Sequence, residues 1–516
     1  MVTKVLSGIV RGIESFPVYV ETDISNGLPM FELVGYLSAE VKEARERVRT
    51  ALKNNGFLLP VARITVNLSP ADMRKSGTGF DLPIALSLLI CLGVISADAL
   101  EDTFVVGEMM LSGDITSTKG ILPMIMMAKT HGAKRCIIPR DNVEEGAVVE
   151  GIEVYGVSHI REVISFLNGE LIIDRASSGL NRELNKQHVY QYDFKDVRGQ
   201  ALAKRGAQIA ASGMHNIIMT GPPGAGKTMI AKCIPSILPP LSQEECLEVS
   251  AIYSVKGALS KDNPLITTRP FITAHHTSTD ISLIGGGAVP RPGAVSMAHK
   301  GILFLDEIPE FSRSALEALR QPLEDKEVSI TRSRDICTFP SDFMLVAAMN
   351  PCPCGNYPDR NLCRCSDAVR EKYLSKISGP LLDRIDICIT ARKVSTIDFL
   401  RKPGDGNVGE SGQNEAESSD EIRRRVMAAH AIQRDRFSGT DISFNSQMNN
   451  RDIEKFCKLG PKETDLLEKL VTKYDISARS YFRILRVSRT IADLEGFSEI
   501  REEHLLEAVR LKVNFR

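Results

Sequence analysis

A chain of 516 residues is longer than one hydrophobic core organises, roughly 250–300 residues, so two to four domains are expected. Hydrophobic residues make up 43% and charged residues 25%, an ordinary globular balance, and no run of about 18 apolar residues offers a membrane span. The formal net charge of −1 neither demands nor excludes a polyanionic partner, because a basic stripe can sit inside a balanced total.

The first residues, Met-Val-Thr-Lys-Val-Leu-Ser-Gly, show no signal-peptide apolar core, so a cytoplasmic location with eleven reduced cysteines is expected. Residues 1–167 read as an alternating α/β domain. Segments 18–22 and 63–68 have strand character, and 38–52 carries Ala39, Val41, Ala44, Val48 and Leu52 at amphipathic helical spacing. Residues 82–92 are almost uniformly apolar and predict a buried helix. Strands at 104–106 and 109–115, a helix at 122–131, a strand at 136–138 and a closing segment at 160–167 follow.

The series Ile64-Thr65-Val66-Asn67-Leu68, Lys75-Ser76-Gly77, Gly107-Glu108, Gly113-Asp114-Ile115 and Gly120-Ile121-Leu122-Pro123 resembles the Lon-protease-like domain of ribosomal S5-like topology. That family uses a Ser nucleophile activated by a Lys. Counted from Gly77 and Gly120, the matching positions hold Gly79 and Leu122, which supply neither hydroxyl nor base. The resemblance thus implies a non-proteolytic relative, in which Ser76, Ser87 and Lys129 are surface or packing residues. Residues 168–193 are polar and turn-rich and read as a linker.

The ATPase module is expected over 194–400. The apolar run Ile217, Ile218, Met219 predicts a buried strand ending at Thr220. The loop Gly221-Pro222-Pro223-Gly224-Ala225-Gly226 follows, and Lys227-Thr228 opens an apolar helix. This is the P-loop pattern in its strand–loop–helix context. Glycines let successive backbone N–H groups approach phosphate oxygens, and the helix N-terminus adds unpaired donors and partial positive charge. Lys227 is expected on the β/γ-phosphates of ATP and Thr228 on Mg²⁺. Upstream, Val197-Arg198-Gly199-Gln200 resembles the element that lines the adenine pocket in AAA+ proteins, which nominates Val197 and Gly199.

Gly301-Ile302-Leu303-Phe304-Leu305-Asp306-Glu307 reads as a central parallel strand with two carboxylates at its C-terminal end, where open α/β sheets bind ligands. By resemblance to Walker B sites, Asp306 would hold Mg²⁺ and Glu307 would activate the attacking water. The strand 344–349 ends at Asn350 and resembles sensor 1. Ser378-Gly379-Pro380-Leu381-Leu382-Asp383-Arg384 resembles the segment that carries the arginine finger in magnesium chelatase and MCM ATPases. The resemblance implies that Arg384 serves a neighbouring subunit's site, hence a ring, usually a hexamer.

Two insertions fall between these motifs. Residues 273–299 combine His275, His276 and a Gly/Pro-dense stretch with Arg291, to which Lys300 adds charge. Residues 326–338 alternate like a hairpin and carry Arg332 and Arg334. Both resemble pore insertions of the magnesium chelatase/MCM branch, and such arginines suit a phosphate backbone as well as a plain solvated hairpin. The two histidines suit hydrogen bonding better than metal ligation. After sensor 1 come Cys352, Cys354, Cys363 and Cys365, four cysteines within fourteen residues as C-x-C-x₈-C-x-C. In a reducing compartment this spacing suits either a structural zinc or a loop of free thiols.

Residues 401–420 are of low complexity and predict a disordered insertion; 421–516 predict a helical lid. Within it, Ser477-Ala478-Arg479-Ser480-Tyr481-Phe482-Arg483-Ile484-Leu485-Arg486 resembles the sensor 2 region, with Arg479 on its Arg. Taken together, the motifs resemble the YifB/ComM family of magnesium-chelatase-like AAA+ ATPases. That resemblance implies an α/β architecture with a Lon-like N-terminal domain, a P-loop AAA+ core and a C-terminal helical lid. It also implies a hexameric DNA helicase acting in branch migration, with ATP and Mg²⁺ as cofactors. A metal-insertion chaperone and a protein-remodelling ATPase stay open beside a DNA motor.

Overall fold

The structure is a computed structural model that describes residues 3–177, 179–184, 190–287, 289–332, 335–392 and 417–513. The chain forms two compact units. The first comprises Met1–Gln187, Ser242–Thr267 and Thr331–Phe339; the second comprises His188–Leu241, Thr268–Ile330 and Pro340–Arg516. The segments of the first unit are therefore not contiguous in sequence.

The first unit is built on strands β1 (Thr3–Arg11), β2 (Glu14–Ser25), β3 (Met30–Val34), β4 (Arg63–Ser69) and β5 (Thr103–Val105). The short pair β6 (Glu108–Met109) and β7 (Ile115–Thr116) is followed by β8 (Arg135–Pro139) and β9 (Glu153–Val157). The main sheet runs β3-β4-β2-β1-β5-β8-β9. Its β1/β2 and β2/β4 pairs are antiparallel, whereas β1/β5, β5/β8 and β8/β9 are parallel. Period-two burial on β4 turns Ile64, Val66 and Leu68 inward, and the helices Ala39–Asn54 and Asp81–Cys91 join the same core. The second of these helices is buried along almost its whole length, as its uniform apolarity predicts.

Strands β1, β3 and β9 were not evident from the sequence. The strand expected over 109–115 is instead the β6/β7 hairpin. Its turn is set by Gly113 at φ 99 and by a 2.6 Å hydrogen bond from Ser112 Oγ to Asp114, which break the extended run. A Cβ added to Gly79 would lie 2.9 Å from Val106 Cγ2 and 3.1 Å from Thr118 Cγ2, and Leu122 is fully buried. The places where a Lon-type Ser and Lys would stand are thus occupied by packing.

The second unit contains β10 (Ile217–Thr220), β11 (Phe271–Ala274), the small pair β12 (Gly285–Gly286) and β13 (Arg291–Pro292), and β14 (Ile302–Leu305). Strands β17 (Met344–Met349) and β18 (Ile387–Thr390) complete its sheet; of the hairpin β15 (Glu327–Arg332)/β16 (Asp335–Pro340), residues 331–339 fall in the first unit. The five-stranded sheet β11-β14-β17-β10-β18 is parallel throughout. All four residues of β14 and all six of β17 are buried, which explains their unbroken apolar runs.

Five helices close the second unit: Ser419–Arg436, Asn450–Phe456, Pro461–Tyr474, Ala478–Leu494 and Glu502–Val513. Ser418 and Glu421 form a capping box at the start of the first. Val426, Ile491 and Val509 share one core with the sheet residues Ile217, Phe304 and Val346. Residues 401–416 of the expected disordered insertion 401–420 lie outside the described residues; at its end Ser418 instead caps, and Ser419 and Asp420 open, the helix Ser419–Arg436. Among the described residues no helix is long and apolar enough to cross a membrane.

Candidate nucleotide site

The parallel sheet places the C-terminal ends of β10, β14 and β17 side by side, so three chemistry-bearing segments meet at one edge. The loop Gly221–Gly226 turns from β10 into the helix Lys227–Ile237. Gly221 is required there because a Cβ would lie 2.5 Å from the Ala391 carbonyl oxygen. Gly224 and Gly226 take φ of 75 and 80, and a Cβ on either would meet nothing within 4 Å, so their backbone faces open space. Pro222, Pro223 and Ala225 complete the loop, and Ala225 is held from behind, its carbonyl accepting from Gln200 Nε2 at 3.0 Å.

Lys227 is largely buried. Its ammonium donates to the carbonyls of Gly221 (2.6 Å) and Pro222 (3.0 Å) and to Asn350 Oδ1 (3.1 Å). Burial holds its pKa below the ordinary lysine value, with Asp306 and Glu307 pulling the other way. Thr228 Oγ1 donates to Asp306 Oδ2 at 2.9 Å. These two oxygens are hard ligands of the kind Mg²⁺ uses, and a phosphate-bearing nucleotide fits the open loop beside them. Glu307 occupies the left-handed region at φ 51 with its side chain 52% exposed, which turns the carboxylate out of the sheet edge toward water. Val197 is buried in the core of this unit, and Gly199 with Gln200 makes the left-handed turn into the helix Ala201–Gly213.

Arg384 lies on the segment before β18, nearly covered. It pairs with Glu324 of its own chain and donates to the Pro380 carbonyl at 2.7 Å. Asn216 anchors this segment, donating from Nδ2 to the Arg384 carbonyl at 3.0 Å and accepting from Leu345 N at 2.8 Å. Arg479 is exposed in the first turn of the helix Ala478–Leu494. One turn on, Arg483 is already committed to Asp386 at 2.5 Å, and Arg486 is half-buried with its pKa lowered by desolvation.

Three family models match the chain: "Magnesium chelatase, subunit ChlI" over residues 193–399, "Subunit ChlI of Mg-chelatase" over 20–142, and "Magnesium chelatase, subunit ChlI C-terminal" over 416–512. The chain is 39% identical over 507 residues to competence protein ComM of Haemophilus influenzae, covering 98% of this chain and 96% of that one. It is also 39% identical over 500 residues to the YifB protein of Escherichia coli, covering 96% and 94%. Lon protease 2 of Bacillus subtilis is 26% identical over 218 residues, 37% of this chain and 39% of its own. The chain belongs to the YifB/ComM family of magnesium-chelatase-like proteins. Its architecture is that of the family: a Lon-like N-terminal α/β domain, a P-loop AAA+ core and a helical C-terminal region.

The remaining expected site residues of this YifB/ComM-family chain are placed as follows. Arg291 is exposed on β13, paired with β12 through Gly286. Arg332 ends β15, but its side chain and the whole of Arg334 lie outside the described residues. Lys300 does not add free charge to the first insertion as expected, because it is paired with Asp342 at 3.3 Å. Cys352, Cys354, Cys363 and Cys365 converge, with all four Sγ atoms within 4.8 Å of one another. The sequence did not single out His276 as a neighbour of Glu307, yet its Nδ1 lies 4.0 Å from Oε2. Glu324, Asn216 and Gln200 were likewise unmarked as site residues, since their roles come from partners distant in sequence.

Proposed function

We propose that this chain is a ring-forming ATPase that couples ATP hydrolysis to translocation on DNA, as a helicase for branch migration in recombination or natural transformation. The observation that carries the ATPase half is the meeting of Lys227, Thr228, Asp306, Glu307 and Asn350 at one sheet edge. ATP with Mg²⁺ supplies the phosphoanhydride bond and the charge-neutralising cation. Lys227 and the loop amides hold phosphate, and Thr228 with Asp306 holds the metal. Glu307 accepts the proton of the attacking water, and Asn350 orients that water. Arg384 completes a neighbouring subunit's site, which makes the assembly a ring, a hexamer by the family pattern. Arg479 links the helical lid to nucleotide state.

The DNA half is supported by the exposed Arg291 hairpin, by the competence role in the name of the Haemophilus influenzae relative, and by the two aromatic residues at the margins of the insertions. Phe271 stacks on Phe304 at 5.8 Å and Phe339 is fully buried, so neither is presented to grip a polypeptide. Cytoplasmic DNA, single-stranded or branched, is the proposed substrate. The test is ATPase rate with and without single-stranded and forked DNA at low and moderate salt, with Glu307→Gln as the hydrolysis-dead control. Stimulation that weakens with salt and disappears in Arg291→Ala or Arg332→Ala supports a DNA motor. A rate indifferent to DNA at both salts overturns it and directs attention to protein or metal-insertion partners.

A further inference from the structure

We propose that Cys352, Cys354, Cys363 and Cys365 hold one structural zinc ion, and that this ion fixes the loop through which the Asn350 strand tip and the phosphate-binding loop are tied together. The sequence spacing leaves zinc and free thiols equally open; the spatial arrangement separates them. Sγ of Cys352 lies 3.4 Å from that of Cys354 and 3.7 Å from that of Cys363, and the Cys354–Cys363 separation is 3.6 Å. A tetrahedral zinc with Zn–S bonds of about 2.3 Å requires S–S edges of about 3.8 Å. Sulfurs this close surround a single ion.

A further observation points the same way. The loop lacks a core of its own. Between Cys352 and Cys365 only Cys352 and Gly355 are buried, and Leu362 is 57% exposed. A loop of this length with no apolar interior needs another staple, and four thiolates on one ion supply it. All four coordination positions are taken by protein, so the site is closed and structural, with no place for a reacting ligand.

The ion's position gives it a second consequence. Asn350, the acceptor of the Lys227 ammonium, stands two residues before Cys352. Gly355, at φ 78 within the first Cys pair's turn, packs so closely on the phosphate-binding loop that a Cβ would lie 2.6 Å from Pro223 Cδ. Zinc therefore holds two contacts with the nucleotide site, one through Asn350 and one through Gly355. The metal site itself does not depend on the DNA-motor reading. The coupling rests on the nucleotide-site reading, which binding of a fluorescent ATP analogue to untreated protein tests separately.

The experiment is elemental analysis of the full chain purified without chelators, followed by stepwise titration with an organic mercurial while released zinc is read with a colorimetric chelator. One zinc per chain, released as four thiols react, is the expected result. Cobalt exchanged into the site should show thiolate-to-metal charge transfer and the visible bands of a tetrahedral sulfur site. The double variant Cys354→Ser, Cys365→Ser should lose the metal. Should that variant fail to fold, the wild-type titration and the cobalt spectrum still decide. Gly355→Ala, which leaves all four thiols, should keep its zinc yet bind the ATP analogue several-fold more weakly, as should mercurial-stripped protein. Protein that takes up neither zinc nor cobalt, a double variant that retains zinc, or an iron–sulfur chromophore overturns the metal site. Undiminished nucleotide affinity in stripped protein overturns the coupling.

Discussion

The Lys227 ammonium donates to Asn350 Oδ1 across 3.1 Å, joining residues 123 positions apart and connecting the phosphate-binding loop to the tip of β17. The cation is shared among two backbone carbonyls and one amide oxygen, which satisfies it in a nearly closed pocket. Phosphate oxygens would compete for the same ammonium and release Asn350 to orient water. Lys227→Ala is therefore expected to abolish binding of a fluorescent ATP analogue. Asn350→Ala and Glu307→Gln should retain binding and lower kcat on the order of 10²-fold or more. Loss of binding in all three would contradict this division of labour.

Arg384 and Glu324 form an ion pair within one chain, so a finger serving a neighbour must first leave Glu324. Arg384→Ala should lower ATPase steeply while leaving analogue binding intact. Mixed with wild-type subunits, it should depress activity more than its fraction, because each variant subunit disables its neighbour's site. Glu324→Gln should leave activity intact or raise it. A strictly proportional loss on mixing would place Arg384 outside a shared site.

His276 lies in the turn two residues past β11, with Nδ1 4.0 Å from the Glu307 carboxylate, and its ring is 4.1 Å from that of His275. Removing it should leave the Glu307 carboxylate without this neighbour and free to swing. His276→Ala is expected to reduce kcat roughly tenfold, about 1.4 kcal/mol in the barrier, with little change in KM. An unchanged kcat in steady-state assays would show that Glu307 orients itself without this neighbour.

Asp342 anchors the acid stability of the second unit. Burial alone would raise its pKa, but Lys326 at 3.2 Å and Lys300 at 3.3 Å outweigh that and hold it at about 2. Because the folded value lies below the unfolded one, near 3.9, the stabilisation is present above that value and is lost as pH falls toward 2. The shift corresponds to about 2 kcal/mol at neutral pH. Asp342→Asn should lower the thermal midpoint at pH 7 and flatten its dependence on acid. Equal melting of variant and wild type across pH 7 to pH 2 would exclude this role.

The local sequence determined the parts that need only short-range chemistry. The loop 221–226 had to bend and to expose backbone, and glycines at Gly221, Gly224 and Gly226 say so directly. The buried run 302–305 followed by two acids and the uniformly apolar helix Asp81–Cys91 are likewise legible from neighbours within one or two turns. The strand expected over 109–115 is broken at Ser112-Gly113-Asp114, where the positive φ of Gly113 and the Ser112–Asp114 hydrogen bond turn the chain.

The tertiary structure alone decided which distant groups share a charge or a ligand. Strand order β14-β17-β10, not chain order, brings Asp306 to Thr228 and Asn350 to Lys227. It also commits Arg384 to Glu324, gives Lys300 to Asp342 rather than to a basic loop, and sets His276 beside Glu307. The four cysteines were countable in the sequence, but their meeting within 4.8 Å was not. Spacing along a chain fixes what a residue is able to do. A carboxylate, a thiol or an ammonium acts over only a few ångströms, so folding fixes the partner with which it does it.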